Sequence, residues 1–406
     1  MRIVPALLWL VAASATAQQV GQPLTPWTPG TLDIHQINTG RGNAALLIFP
    51  DGTTMLLDAG DGGNPPPRGT PPKPDGSRTP GEWIARYIRH MLAHDASPVL
   101  DYGYLTHFHD DHMGHPEAGS KTAHGYKLTG LTEVGTLIPI RRMLDRGWPD
   151  YNYPAPLRDA TVTNYRAFVD WQRQNNGMQV QRMQPGRNDQ IVLRRDPAKY
   201  RNFEVRNIAA NGEVWTGVGV NTRAYQPPIA SLKPEEYPTE NMCSLVIRVS
   251  YGKFDFYSGG DIPGAHRDGA PVWNDMETPV AQAVGPVEVS VLNHHGNRDS
   301  QNGFFIASLR PQVFLISVWS ADHPGHDVLE RMYSEHLYPG PRDVFATNMM
   351  EANRLVIGPL LDRLRSAQGH IVVRVDPGGD TFHVFVLDDS AETYRVKAVF
   401  GPYQSR

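Results

Sequence analysis

The 406-residue sequence contains a single cysteine, Cys243, so no disulfide can close within the chain and a small stapled scaffold is excluded. In Met242-Cys243-Ser244-Leu245-Val246 that residue reads as a small core side chain, not a nucleophile. A strong charge of one sign is also lacking: 38 Lys and Arg face 42 Asp and Glu, a balance of −4, which supplies no broad footprint for a polyanion. No run after the first residues approaches the roughly 20 apolar positions of a membrane span. No internal repeat is visible, and no Gly-rich fingerprint marks a dinucleotide or flavin domain.

The start of the chain has a recognisable pattern of its own. Met1-Arg2 is followed by an apolar run from Ile3 to Ala13 and then Ala15-Thr16-Ala17, which reads as a secretory signal peptide cleaved after Ala17. Loss of Arg2 takes the charge balance from −4 to −5. The expected product is an exported protein, periplasmic or secreted, occupying residues 18–406.

What the chain has in excess is histidine. Of 16 in total, seven (His90, His94, His107, His109, His112, His115, His124) fall within 35 positions. Their setting is informative. Leu32-Asp33-Ile34, Ala44 to Phe49 and Met55-Leu56-Leu57 read as strands around a Pro50-Asp51-Gly52 turn. Residues 62–80 form a Pro- and Gly-rich surface loop, and Thr79-Pro80-Gly81-Glu82 starts a helix with an N-cap, a Pro at the first position and a Glu three after the cap. Val99 to Leu105 is then a short strand running into Thr106-His107-Phe108-His109-Asp110-Asp111-His112. Ligands bind beyond strand ends in open α/β sheets.

The stretch from about 116 to 240 has a different texture and reads as an insertion of lid type. Its Arg141, Arg142, Trp148 and tyrosines suit recognition of a phosphate and a ring or quaternary amine as well as they suit ordinary packing. A helix is expected over Thr163 to Gln174. Alternation resumes at Leu245, Ile247 and Val249, a second hairpin stops at Gly259-Gly260-Asp261, and Val287 to Val291 runs into Asn293-His294-His295-Gly296. Further strands are expected at 313–318, 371–375 and 382–387, and a helix over 325–338. Each half is thus a hairpin ending in Asp (Asp58, Asp261) followed by a strand ending in His. The expected fold class is α/β (α+β), a four-layer αββα sandwich whose strand ends meet along one rim.

In an extended segment His107 and His109 project to one side and can reach one ion, while Asp111 and His112, beyond the bend, can reach a second. Imidazole with carboxylate suits zinc first, with manganese or iron as alternatives. Asp261 can bridge two ions through its two oxygens, and His294-His295 can supply one ligand and one imidazole that either supports the ligands or takes part in catalysis.

Thr106-His107-x-His109-x-Asp111-His112, Gly260-Asp261 and His294-His295-Gly296 together resemble the metallo-β-lactamase superfamily. The nearer likeness is to the hydrolase domain of bacterial competence DNA-uptake proteins and to choline-phosphate esterases. Residues 37–44, Leu56 to Gly60 and Glu240-Asn241-x-x-Ser244-Leu245-Val246 resemble that group's strands, so the likeness covers about 31–115 and 240–325. The resemblance implies that His107 and His109 hold one ion, that Asp111, His112 and His295 hold a second, and that Asp261 bridges them. It implies a substrate-facing, catalytic His294, with the order of His294 and His295 open to reversal. Asp58 would brace the cluster, and Asp110 or Asp111 would steer a proton. Many members carry a further ligand His before the bridging Asp. Only His124 is available here, which leaves the first ion a free position and speaks against a β-lactamase.

The implied activity is hydrolysis by two divalent ions, of a small or cell-envelope phosphodiester ahead of a lactone or β-lactam, with nucleic acid less favoured by the charge. A metal-binding protein that keeps the fold without the chemistry is the rival reading. The oligomeric state is not legible.

Overall fold

The computed structural model describes residues 18–62, 68–117, 120–264 and 269–406. The expected signal peptide lies outside the described residues.

The first half of the chain runs β1 (Leu32–Gln36), β2 (Ala44–Ile48), β3 (Thr54–Ala59), α1 (Pro80–Met91), β4 (Leu100–Tyr104), the single turn α2 (Asp110–Met113), the small hairpin β5 (Thr122–Ala123) and β6 (Tyr126–Lys127), α3 (Gly130–Leu137), β7 (Ile140–Asp145), α4 (Ala160–Asn176) and β8 (Gln179–Arg182). The second half runs β9 (Phe203–Ala210), β10 (Glu213–Trp215), β11 (Thr222–Ala224), β12 (Val246–Tyr251), β13 (Phe254–Ser258), α5 (Glu277–Val284), β14 (Val289–Val291), α6 (Gly303–Leu309), β15 (Val313–Ile316), α7 (His326–Tyr333), β16 (Asp343–Ala346) and α8 (Glu351–Ile357). Strands β17 (His370–Val375), β18 (Thr381–Leu387) and β19 (Val396–Gln404) close the chain.

These strands form two large mixed sheets. One has nine strands in the order β19-β18-β17-β1-β2-β3-β4-β7-β8, the other eight in the order β11-β10-β9-β12-β13-β14-β15-β16. The two halves repeat one plan. Hairpin β2–β3 is antiparallel and β4, β7 and β8 follow in parallel. Hairpin β12–β13 is likewise antiparallel, with β14, β15 and β16 in parallel. Each parallel step crosses over through a helix, as parallel strands require.

Side-chain alternation shows where the layers meet. Leu47, Met55, Leu57, Tyr102 and Tyr104 of one sheet share a core with Ile247, Val249, Phe256, Val289 and Leu315 of the other. The opposite face of the first sheet, with Leu46, Ile48 and Leu56, packs on α1, α3 and α4. The outer face of the second packs on α5, α6 and α7. Strands covered on both sides read as unbroken apolar runs, which is why Ala44 to Phe49 was so clear. The fold is mixed α/β and compatible with the expected α+β sandwich.

Helix α1 begins at Pro80 with the Thr79 hydroxyl accepting from Glu82 N, as its sequence predicts. Helix α4 starts three positions early, capped by Asp159, and α7 ends at Tyr333, short of the expected 338. The larger difference concerns 116–240. Instead of forming a separate lid, this stretch supplies α3, β7, α4 and β8 to the first sheet and its covering layer, and β9 to β11 to the second. Its strands give little sequence signal because Ile140 to Asp145 opens with the polar Arg141-Arg142 and Gln179 to Arg182 is mostly polar, the latter at the sheet edge, where alternation need not be apolar. Cys243 is fully buried, and burial pushes its thiol up to about 12, as suits a core residue. Among the described residues no helix is long and apolar enough to cross a membrane.

Candidate metal centre

Two parallel strand ends deliver the histidines. Beyond β4, Leu105 N still donates to Leu144 O and Leu245 N donates to Thr106 O, so the chain stays extended as far as His107. It then turns through α2, capped at His109. The turn is pressed against the loop after β3. Asn43 N donates to Asp111 O at 2.7 Å, and a Cβ on Gly60 would lie 1.9 Å from that same oxygen, so only glycine fits there. In the second half, β14 leads into Asn293–Gly296, where His294 N donates to Gly260 O at 3.1 Å and so links this turn to the Asp261 segment.

The donor atoms converge in two groups that share Asp261. Asp111, His112, Asp261 and His295 form one, and His107, His109 and Asp261 the other. In the first, His112 Nε2 lies 3.5 Å from Asp111 Oδ2, 3.2 Å from Asp261 Oδ1 and 3.3 Å from His295 Nε2. His295 Nε2 lies 2.9 Å from Asp111 Oδ2 and 3.7 Å from Asp261 Oδ2. Four N and O donors around an ion at about 2.0 Å would stand about 3.3 Å apart at tetrahedral corners. The donor set therefore fits a small divalent ion. In the second group His107 Nε2 is 3.1 Å from His109 Nδ1 and 3.7 Å from Asp261 Oδ2. His109 is exposed while its two companions are buried, so this group is the open one.

The imidazoles are aimed by what holds their far sides. His295 Nδ1 donates to Ser317 O at 2.9 Å, leaving Nε2 as the lone-pair atom towards the cluster. His112 Nδ1 donates to Asp58 Oδ2 at 2.7 Å. Asp58 also accepts from Thr106 N, Thr106 Oγ1 and Asn43 Nδ2. It is a fully buried brace, turned away from the cluster's interior.

Electrostatics point the same way. Burial opposes ionisation of Asp111 and Asp261, yet the neighbouring imidazoles, His112 foremost, hold both well below the usual carboxylate range. Burial likewise opposes charge on His112, but Asp261, Asp111 and Asp58 raise it well above the usual value. Burial, reinforced by His112, keeps His107 neutral. Two carboxylates shared among these donors, Asp111 and Asp261, call for positive charge, which a divalent ion among these donors would supply.

His294 stands apart from both groups. Its side chain is one-fifth exposed, Nδ1 donates to Asp299 Oδ1 at 2.6 Å, and Nε2 lies 3.9 Å from Asp261 Oδ2. Burial is outweighed by Asp261 and Asp299, which lift it to about 9. Of the predicted residues, then, His107, His109, Asp111, His112, Asp261 and His295 come together, Asp58 stands behind them and His294 beside them.

Others go elsewhere. His124 stacks on Trp171 at 3.8 Å, and Asp110 is engaged by Thr161 and His115. Arg141 and Arg142 lie towards the start of β7, level with Leu100 to Tyr102 and away from the histidine end of the sheet. Trp148 is covered by Arg173, and the Tyr151 hydroxyl donates to Asp145. These side chains pack and do not line the centre.

Arg146 stands behind the His107–His112 loop. It is buried, lies over Phe108 at 4.8 Å and forms a forked ion pair with Glu240, whose Oε1 also accepts Phe108 N. Arg146 carries no sequence signal because its partner Glu240 lies 94 positions away, whereas Asp299, five positions from His294, is a local signal that the sequence reading did not use. His323 was missed too. It is buried and stacked on His295 at 4.8 Å. No family model matches the sequence, and no curated protein matches it.

Proposed function

We propose that the chain is an exported metallohydrolase of the metallo-β-lactamase type, with the four-layer αββα fold of that superfamily and two divalent ions, zinc by preference, acting on a phosphodiester. The observation that carries this reading is the pair of His/Asp groups sharing Asp261 at the strand ends of two halves with the same plan.

Ions held by those groups would supply Lewis-acid polarisation of a substrate oxygen and a more acidic water. The chain's own residues do the rest. Asp261 keeps the two groups in register. Of the two carboxylates suited to steering a proton, Asp111 belongs to the cluster, whereas Asp110 is taken by Thr161 and His115. His294, held through Nδ1 by Asp299, is available to donate from Nε2 to a substrate oxygen as charge develops there. The open group around exposed His109 leaves room for an anionic substrate that brings its own oxygens, which supports a phosphodiester over a lactone or β-lactam.

Metal analysis of protein purified from its native compartment, followed by chelator-sensitive cleavage of bis-p-nitrophenyl phosphate, tests the reading. About two ions per chain and turnover that EDTA abolishes are expected. Retained metal with no turnover of phosphodiester, lactone or β-lactam would leave the silent metal-binding protein in its place. N-terminal sequencing of the same material tests export, with Gln18 expected first.

A further inference from the structure

We propose that Glu277 is a positioning residue for the metal centre, its carboxyl group locking both ends of the double-histidine loop, residues 293–302, while its main chain holds the segment that follows Asp261. The inference rests on the metal-site reading above.

The loop needs such a lock. His294 and His295 follow one another with φ of 47° and 55°, Gly296 has φ 77° and Gln301 has φ 59°. L-residues disfavour the left-handed region, and two consecutive histidines there persist only where surrounding contacts over-determine them. Glu277 supplies those contacts at both ends of the loop. Its Oε1 accepts from Asn293 Nδ2 at 2.7 Å and from Gln301 N at 2.6 Å, while Oε2 accepts from Asn302 N at 2.7 Å. The other side of Asn293 is held by the Tyr257 hydroxyl at 2.9 Å.

The same residue meets the chain leaving Asp261. Glu277 N donates to Pro263 O, Gly264 N donates to Asp299 O, and a Cβ on Gly264 would lie 1.9 Å from Glu277 Oε2. Glycine at 264 is what lets that segment close over the carboxyl group. One residue at the start of α5 therefore holds both segments, the loop with His295 through its carboxyl group and the chain after Asp261 through its main-chain N–H.

Packing alone does not account for it. Glu277 is fully buried, and its three bonded donors are neutral N–H groups. Burial pushes its carboxyl up to about 8 in spite of them. An apolar side chain would fill the space without that desolvation cost. What it could not do is bind both ends of a strained loop.

The test is titration of the metal-stripped full chain with Co²⁺, read by visible absorption, and with Zn²⁺ against a competing chelator, for wild type, Glu277→Gln and Asn293→Ser. Glu277→Gln keeps the volume but turns an amide N–H towards Asn302 N, and Asn293→Ser removes one tie and leaves the carboxyl in place. In both variants the ion held with His295 should bind about 10- to 100-fold more weakly, as is usual when a partner that orients a ligand is lost. The ion at His107 and His109, which takes no ligand from the loop, should change about threefold or less, and the Co²⁺ spectrum of the ion held with His295 should alter. Unchanged affinities, equal losses at both ions, or failure of both variants to fold would each overturn the inference, because the assigned role is local. A wild type that binds no ion would overturn the site reading as well, so the two failures are distinguishable.

Discussion

The two halves of the molecule put a carboxylate at the same topological place and use it differently. Asp58 lies near the end of β3, the second strand of the first hairpin, and four donor groups (Thr106 N, Thr106 Oγ1, Asn43 Nδ2 and His112 Nδ1) converge on its side chain. An ionised carboxylate has about four acceptor sites, so Asp58 has little left to offer an ion. Asp261 lies beyond the end of β13, the corresponding strand, and its oxygens face the imidazoles of His107, His112 and His295. Saturation by protein donors makes one a brace and leaves the other able to serve as a ligand. The hairpin-Asp pattern alone does not distinguish them.

The sharpest test of that contrast is substitution at the two positions. On the proposed function, Asp261→Ala removes the carboxylate shared by both groups and should strip most of the metal and cut the proposed phosphodiesterase activity by about 1000-fold or more. Asp58→Asn should cost only about 10- to 100-fold in metal affinity. Metal content by mass spectrometry and kcat/KM report both, and equal damage at the two sites would erase the distinction.

A second difference lies behind the histidines. The first-half loop is backed by the buried Arg146–Glu240 pair, the second by Glu277 without a cation. Arg146→Met strands Glu240 and should destabilise the fold by about 3–5 kcal/mol, measured by denaturant unfolding, with the Asp111–His112–Asp261–His295 ion retained in the folded fraction. A loss under about 1 kcal/mol would show that the pair is not what supports Phe108 and its neighbours.

The smallest effect concerns pH. Asp33 on β1 is buried, and although burial opposes it, the forked Arg374 guanidinium lowers its carboxyl to about 2. Its folded value is depressed, so it adds about 2 kcal/mol of stability above pH 4 that is lost as the pH falls towards 2. Glu277 has the opposite sign. Its folded value is raised from 4.5 to about 8, so its contribution is complete below about pH 4.5 and declines as the pH rises through 8. Thermal melts of metal-stripped protein should show both limbs. Asp33→Asn should flatten only the acid one and Glu277→Gln only the alkaline one; an unchanged acid limb in Asp33→Asn would refute the assignment.

Much of this plan is legible in the sequence, and the exceptions have a common cause. Residues 44–49, 54–59 and 100–104 are buried on both faces, so their strands announce themselves, and the cluster from His107 to His112 needs only local geometry. Strand β7 opens on two arginines and the edge strand β8 is mostly polar, so neither stands out from the 116–240 stretch. Glu240 accepts from a residue 132 positions away, and Glu277 binds partners 16 to 25 positions off, separations no local pattern encodes.

By itself, then, the sequence determined which side chains stand at strand ends, because alternation, turns and caps are properties of neighbouring residues. Only the tertiary structure decided which of those side chains face one another. Asp261 met both histidine groups, Asp58 was consumed by four donors, and His295 rather than His294 joined Asp111 and His112, because packing of two sheets sets how much of each carboxylate and imidazole is already spoken for.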